Sequence, residues 1–263
     1  MKKLKESWMF RAIFFLFLLC GHVGAEEFEW TYLDLVDSSI KFDPVMFRNW
    51  VCRGDLSYAI FAEDENVPTA LPGYESGRCV AEVQLAEALG RIQTRLRPLG
   101  LGIKVYDCYR PQRTVDYFIK WTLMSDTPLV KKYHYPRTEK RNFHDLDYLS
   151  RLSSHTKGTA VDVTLVPLEL SPEWVVMPED FLGIWDPESL DMGVGYLCFD
   201  PRSSFSYQQL TDIQRNNRDL LRRVMFDEGF VPLEAEFWHF YYLPERNQNL
   251  FYDFPITEEG VQS

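Results

Sequence analysis

Two short polar segments, far apart in the chain, place the strongest constraint on its fold. The first is Ser154-His155-Thr156-Lys157-Gly158-Thr159-Ala160-Val161-Asp162, and the second is Glu236-Phe237-Trp238-His239. Both sit in apolar surroundings. Asp162 is flanked by Val161 and Val163, and His239 by Trp238 and Phe240. Burying a lone carboxylate is expensive, so Asp162 requires a partner: a cation, Lys157 or an arginine. Together the segments supply two imidazoles, one carboxylate ligand and one spare carboxylate. That is the inventory of a catalytic zinc site, with three protein ligands, an open position for water and a general base beside it. A fold that uses them must bring the two segments together.

The intervening chain offers the elements to do so. Val161 to Val166 reads as a strand rich in β-branched residues. On regular alternation Ala160, Asp162 and Thr164 share one face. Phe237 to Leu243 reads as an aromatic strand. Glu236 and His239 would face opposite ways on an ideal strand, so a bulge or a strand start is required between them. A helix is expected from Val80 to Leu96, with Leu85, Leu89, Ile92, Leu96 and Leu99 forming one apolar stripe. Pro98, Gly100 and Gly102 end it, and Ile103 to Asp107 reads as a short buried strand. Pro111 can open another helix, since its missing N–H costs nothing there. Val115, Phe118, Ile119 and Leu123 are its expected inward face. Residues 125–152 are polar and read as a long surface loop with His134 and His144 solvated. A last helix is expected from Thr211 to Glu228, with Ile213, Leu220, Leu221 and Val224 inward and Gly229 as its cap. Strands and helices follow no regular βαβ rhythm, which points to an α+β domain.

The N-terminus reads as an export signal. Lys2, Lys3, Lys5 and Arg11 precede the apolar run Ala12 to Cys20, and small residues allow cleavage after Ala25. The run is shorter than the roughly 20 residues that span a bilayer. Residues 1–25 are therefore expected to be a signal peptide, and residues 26–263 one exported domain, periplasmic and without a membrane anchor after cleavage. The remaining cysteines, Cys52, Cys79, Cys108 and Cys198, are even in number, and in an exported protein that suggests disulfides; three pairings are open. The net charge of −11, with no basic cluster, argues against a nucleic-acid partner. Oligomeric state is not legible.

Four segments in order carry a family resemblance: Tyr106-Asp107-Cys108-Tyr109-Arg110-Pro111, the Ser153-to-Asp162 stretch, Leu190-Asp191-Met192-Gly193 and Glu236-Phe237-Trp238-His239. From about Tyr74 to Tyr242 the chain resembles the D-alanyl-D-alanine dipeptidases, the zinc D,D-dipeptidases of vancomycin-resistance type. The resemblance implies one Zn2+ per chain, held by His155, Asp162 and His239. It implies Glu236 as catalytic base and Arg110 as the group that stabilises the transition state. A structural salt bridge to Asp107 is the plainer reading of Arg110. Ser153 and Ser154 look similar to positions that line the substrate pocket. Asp191 is a candidate for the substrate's ammonium, with loop capping as the alternative. The implied fold is α+β with a small central antiparallel sheet and flanking helices, shared with zinc D,D-carboxypeptidases and the hedgehog metal-binding domain.

The implied reaction is hydrolysis of D-alanyl-D-alanine, or a related small D,D-dipeptide, in peptidoglycan turnover. A zinc carboxypeptidase or endopeptidase acting on wall peptides is the first alternative, and a non-catalytic zinc-stabilised binding domain the second. A His2Asp set suits several divalent ions, and zinc follows from the resemblance. Two departures bear on substrate. Phe237-Trp238 stands where the family often has two tryptophans. Val194-Gly195-Tyr196-Leu197 replaces the usual Thr-Pro-Phe-Asp, which removes an acidic residue from that loop.

Overall fold

The computed structural model describes residues 29–44, 46, 71–169, 178–243 and 250–259. The expected signal peptide and Cys52 lie outside the described residues. Among them the elements run β1 (Trp30–Tyr32), α1 (Leu33–Val36), β2 (Lys41–Phe42), β3 (Val80–Glu82), α2 (Val83–Leu96), β4 (Leu101–Asp107), α3 (Gln112–Trp121), α4 (Pro128–His134), β5 (Ala160–Pro167), α5 (Asp212–Phe226), β6 (Phe230–Pro232) and β7 (His239–Tyr242). Five strands form the central sheet in the order β2-β4-β5-β7-β6. Every pairing is antiparallel except β2 with β4. This is the α+β architecture expected. No helix among the described residues is long and apolar enough to cross a membrane.

The core lies along two interior strands of the sheet, β4 and β5. All of β5 from Ala160 to Val166 is buried, as is β4 from Gly102 to Asp107. The apolar stripe of α2 (Leu85, Leu89, Ile92 and Leu96) is fully buried, and Gln93 on the same helix accepts the Ile103 amide of β4 at 2.9 Å. This helix starts at Val83 rather than at the expected Val80. Val80 to Glu82 instead pair with β1 as a strand, and the Glu82 carboxylate then caps the helix by accepting the Leu85 amide at 3.0 Å. Leu99 lies past the helix end and is exposed.

Three further expectations need correction. Val115 and Phe118 of α3 point inward, but Leu123 is 77% exposed, because the helix ends at Trp121 and Trp121 takes the buried place. Ile213 of α5 is likewise exposed at 67%. Thr211 and Gln214 cap that helix reciprocally, and Leu221, Val224 and Met225 carry its buried face. Residues 125–152 are more than a surface loop. They include α4 and bury Tyr135, Phe143 and Tyr148 in an aromatic cluster with Trp121 and Phe199. His134 is buried in the same region, with Nδ1 3.0 Å from the Leu197 carbonyl, and burial pushes its pKa down to about 4. His144 is exposed, as expected. Aromatic rings scattered among charges leave no periodic stripe, so the segment's inward face is not legible from its pattern.

Cys79 and Cys108 form a disulfide that ties β3 to the end of β4, and Cys198 is a buried free thiol.

Candidate active site

Sheet register assembles the site. Asp107 on β4, Asp162 on β5 and His239 on β7 are direct cross-strand partners and form one row across the sheet. Asp107 reaches the row through a register shift between Val105 and Asp107, a bulge of the kind that re-aims side chains near active sites. The Glu236–His239 problem is solved by a strand start. A turn closes from the His239 amide to the Glu236 carbonyl at 3.2 Å, and β7 begins only at His239. Strand alternation therefore does not govern where Glu236 points.

His155 comes from a short helical turn, Ser154–Lys157, capped by the Ser153 hydroxyl and ended by Gly158. Gly158 has φ +78°, and a Cβ there would stand 2.4 Å from the Trp30 ring, so both conformation and space demand glycine. The imidazole Nδ1 lies 2.6 Å from the Cys108 carbonyl and donates to it. That bond fixes the tautomer and leaves the Nε2 lone pair facing Asp162 Oδ1 at 3.2 Å and His239 Nδ1 at 3.1 Å. His239 Nδ1 is 2.9 Å from the same Asp162 oxygen, and its Nε2 is 3.4 Å from the Ser154 hydroxyl.

This donor set fits a divalent cation. Three buried ligand atoms point at one another, all within 4.8 Å. The separations of 2.9–3.2 Å are close to the roughly 3.4 Å between ligands in a tetrahedron with bonds of about 2.1 Å. With His155 Nδ1 turned to the Cys108 carbonyl, Nε2 faces Asp162 and His239, an arrangement that a shared cation would bridge. Burial alone would raise the Asp162 carboxyl, but His155 and then His239 outweigh it and hold it well below the usual carboxylate range. Asp162 therefore stays ionised. Burial lowers the His239 pKa and favours its neutral, ligating form.

The remaining expected residues mostly gather here. Glu236, Arg110, Ser153 and Ser154 line the same cavity as the three candidate ligands, a space of about 380 Å³. Burial pushes the Glu236 carboxyl well above its ordinary pKa, and the charge of Asp162 adds to the rise, against the pull of Arg110. Arg110 makes the expected salt bridge to Asp107 and also lines the cavity. Its Nε donates to Asp107 Oδ2 at 2.9 Å, one Nη reaches the same oxygen at 2.8 Å, and that Nη lies 3.6 Å from Asp162 Oδ2. Burial works against its charge, but Asp107 keeps the guanidinium protonated. The salt bridge is thus the device that aims Arg110 into the site. Asp191 is not brought to this cavity. It caps its own loop by accepting the Gly193 amide at 2.8 Å, accepts from Gln214 at 3.1 Å, and lines a second cavity.

Three residues escape a reading by motif. Tyr196 donates to Asp162 Oδ2 at 2.8 Å, and Tyr74 donates to Asp107 at 2.8 Å. Leu197 lines the cavity at φ +57°, a left-handed conformation rare for a leucine. The change from Thr-Pro-Phe-Asp was a signal for two of these, although it did not say what the new residues touch.

A family model described as D-ala-D-ala dipeptidase, of the peptidase M15 group, matches residues 45–181 and 185–257. The chain belongs to this family. The D-alanyl-D-alanine dipeptidase of Streptomyces coelicolor is 32% identical over 205 residues, spanning 78% of this chain and 93% of that protein. Its counterpart in Enterococcus faecium is 29% identical, over 78% and 92%. That of Escherichia coli is 27% identical, over 64% and 68%. Among solved structures, a D,D-pentapeptidase of a vancomycin-resistance cassette in complex with Zn(II) aligns at 13% identity with a TM-score of 0.36, over 65% of this chain and 76% of its own. As a member of the M15 family the chain is a metallopeptidase. The match extends further at both ends than the motifs alone suggested.

Proposed function

We propose that this M15 member is a zinc D,D-dipeptidase that hydrolyses D-alanyl-D-alanine, or a closely related D,D-dipeptide, to free amino acids, with one zinc per chain. The observation that carries the reading is the convergence of His155, Asp162 and His239 beside buried Glu236 and Arg110 in one cavity. Its volume of about 380 Å³ is near the low end for small-molecule sites and suits a dipeptide. Zinc bound by the three ligands would supply a water of lowered pKa and polarise the scissile carbonyl. Glu236 accepts the proton from the attacking water and returns it to the leaving amine. Its raised pKa suits it to hold that proton between the two events. Arg110, locked by Asp107, offers N–H groups to the developing oxyanion or to the substrate carboxylate. Ser153 and Ser154 border the substrate space.

The signal-like N-terminus supports an exported, periplasmic enzyme acting on dipeptides released in peptidoglycan turnover. A cytoplasmic location of the mature protein would end that part of the reading.

One observation favours a second substrate class. Leu197 presents an apolar side chain to the cavity where the family pattern carries an acid, which leaves Asp147, among the described residues, as the lining carboxylate other than Asp162 and Glu236. A substrate without a free ammonium, such as the end of a wall peptide, needs no such acid. The experiment is amino-acid release from D-Ala-D-Ala, N-acetyl-D-Ala-D-Ala and L-Ala-L-Ala, with metal content measured on the same sample. Turnover of free D-Ala-D-Ala alone supports the dipeptidase. Preference for the acetylated substrate moves the assignment to a carboxypeptidase, and zinc without turnover of any substrate moves it to a binding domain. In Glu236→Gln, kcat is expected to fall by about 10²–10⁴-fold with zinc content retained. Unchanged activity would sink the base assignment.

A further inference from the structure

We infer that Tyr196 is a positioning residue of the metal site: its hydroxyl holds one oxygen of Asp162 so that the other is presented to the ion. The Asp162 carboxylate is divided between two tasks. Oδ1 faces His155 Nε2 and His239 Nδ1, while Oδ2 accepts the Tyr196 hydroxyl at 2.8 Å. Both side chains are buried, so the bond is largely shielded from solvent. An unrestrained carboxylate can bind a cation through one oxygen or through both. A donor fixed on Oδ2 settles that choice and the rotation of the group, the usual contribution of a partner behind a metal ligand.

Tyr196 is itself held by two ring contacts and a backbone bond. It stacks on Tyr106 at 4.7 Å and 14°, and Trp238 meets it edge-on at 5.7 Å. Its backbone carbonyl accepts the Ile184 amide at 2.7 Å. The approach depends on Gly195, where a Cβ would lie 1.9 Å from the Ile184 carbonyl oxygen. Arg110 is the next donor to Asp162 Oδ2, at 3.6 Å. Arg110 is already held by two contacts to Asp107, at 2.9 and 2.8 Å, so the short bond to Asp162 Oδ2 comes from Tyr196. Tyr196 therefore acts on metal affinity first and on turnover second.

This inference rests on the reading of His155, Asp162 and His239 as metal ligands, and its test separates the two. Metal-free wild type, Tyr196→Phe and Tyr106→Phe are titrated with zinc against a chelator of known affinity. Phenylalanine at 196 keeps the ring in its stack. Tyr106→Phe is the control, because it removes a hydroxyl from the same stack that bonds Asp186 instead, at 2.8 Å. Zinc affinity is expected to fall by about 10–100-fold in Tyr196→Phe and to hold within about threefold in Tyr106→Phe. Equal affinity in Tyr196→Phe and wild type overturns the inference, as does an equal loss in both variants. A wild type that binds no zinc instead overturns the ligand assignment itself. Site-specific 3-fluorotyrosine and 3,5-difluorotyrosine at position 196 keep the ring and the fold while making the hydroxyl progressively more acidic, so they give a reading even if Tyr196→Phe is recovered unfolded. Zinc affinity should change stepwise along this series, and an affinity that stays equal to wild type in both would overturn the inference.

Discussion

His134 provides a pH-dependent test of the fold around the site. It lies in a segment whose composition reads as solvent-exposed, yet it is buried and its pKa is pushed down to about 4 by desolvation, against the opposing effect of its bond to the Leu197 carbonyl. In the unfolded chain the same imidazole titrates near 6.5. Above about pH 6.5 both states hold it neutral, and it makes no pH-dependent contribution. Below that value the unfolded chain takes up a proton that the native state refuses until about pH 4, so stability falls with falling pH. Between about pH 7.5 and pH 4.5 the loss is about 2.5 kcal/mol. The perturbation is His134→Gln, which keeps a side-chain donor near Leu197 but does not titrate. Urea denaturation of metal-free wild type and variant is measured at both pH values. Every other titrating group is common to the two proteins and cancels in their difference. The variant should be the less stable protein at pH 7.5, by roughly 1 kcal/mol, through imperfect packing and hydrogen bonding. At pH 4.5 it should have gained about 2.5 kcal/mol on wild type. A difference that stays within about 0.5 kcal/mol across this range would mean that His134 titrates normally, and the buried environment described for it would be wrong.

Other outcomes follow from the supports of the site. Replacing Cys79 and Cys108 by alanine opens a loop of sequence separation 29, which by chain entropy costs about 3.5 kcal/mol. Because the Cys108 carbonyl orients His155, zinc affinity measured by chelator competition should fall as well; an unchanged affinity would show that the carbonyl is held without the disulfide. Arg110→Lys keeps the charge but loses the planar fork that grips Asp107 and faces the site, so kcat/KM should drop by about 10²-fold or more with zinc content unchanged. A lysine variant of wild-type efficiency would reduce Arg110 to a structural ion pair. Chelation should abolish turnover and lower Tm, because the ion binds the native state alone, and added zinc should restore both; a Tm indifferent to chelator would contradict a native-state metal site.

The candidate ligands stand out in the sequence because their chemistry conflicts with their local surroundings. Asp162 and His239 are polar residues in stretches otherwise rich in β-branched and aromatic side chains, and both are buried in the structure. Strands β4 and β5 and the stripe of α2 were legible because periodicity and apolarity agree there. Periodicity failed where the inward face is carried by scattered large rings, as around Tyr135 and Phe143, and where a helix stops short of an apolar residue, as at Leu123. Val80 to Glu82 could have extended α2, and only the partner strand β1 made them a strand.

Residue identity fixes which groups can do chemistry: two imidazoles, two acids and an arginine, in segments whose order matches one family. The tertiary structure alone decided how they meet. The strand start at His239 is what frees Glu236 from alternation. The bulge before Asp107 is what brings the Arg110 salt bridge alongside Asp162. The Tyr196 hydroxyl reaches Asp162 from a loop 34 residues further along the chain. Each of these depends on distances between segments remote in sequence. Residue type sets what a side chain can bond, but only the packed sheet sets what lies within bonding distance.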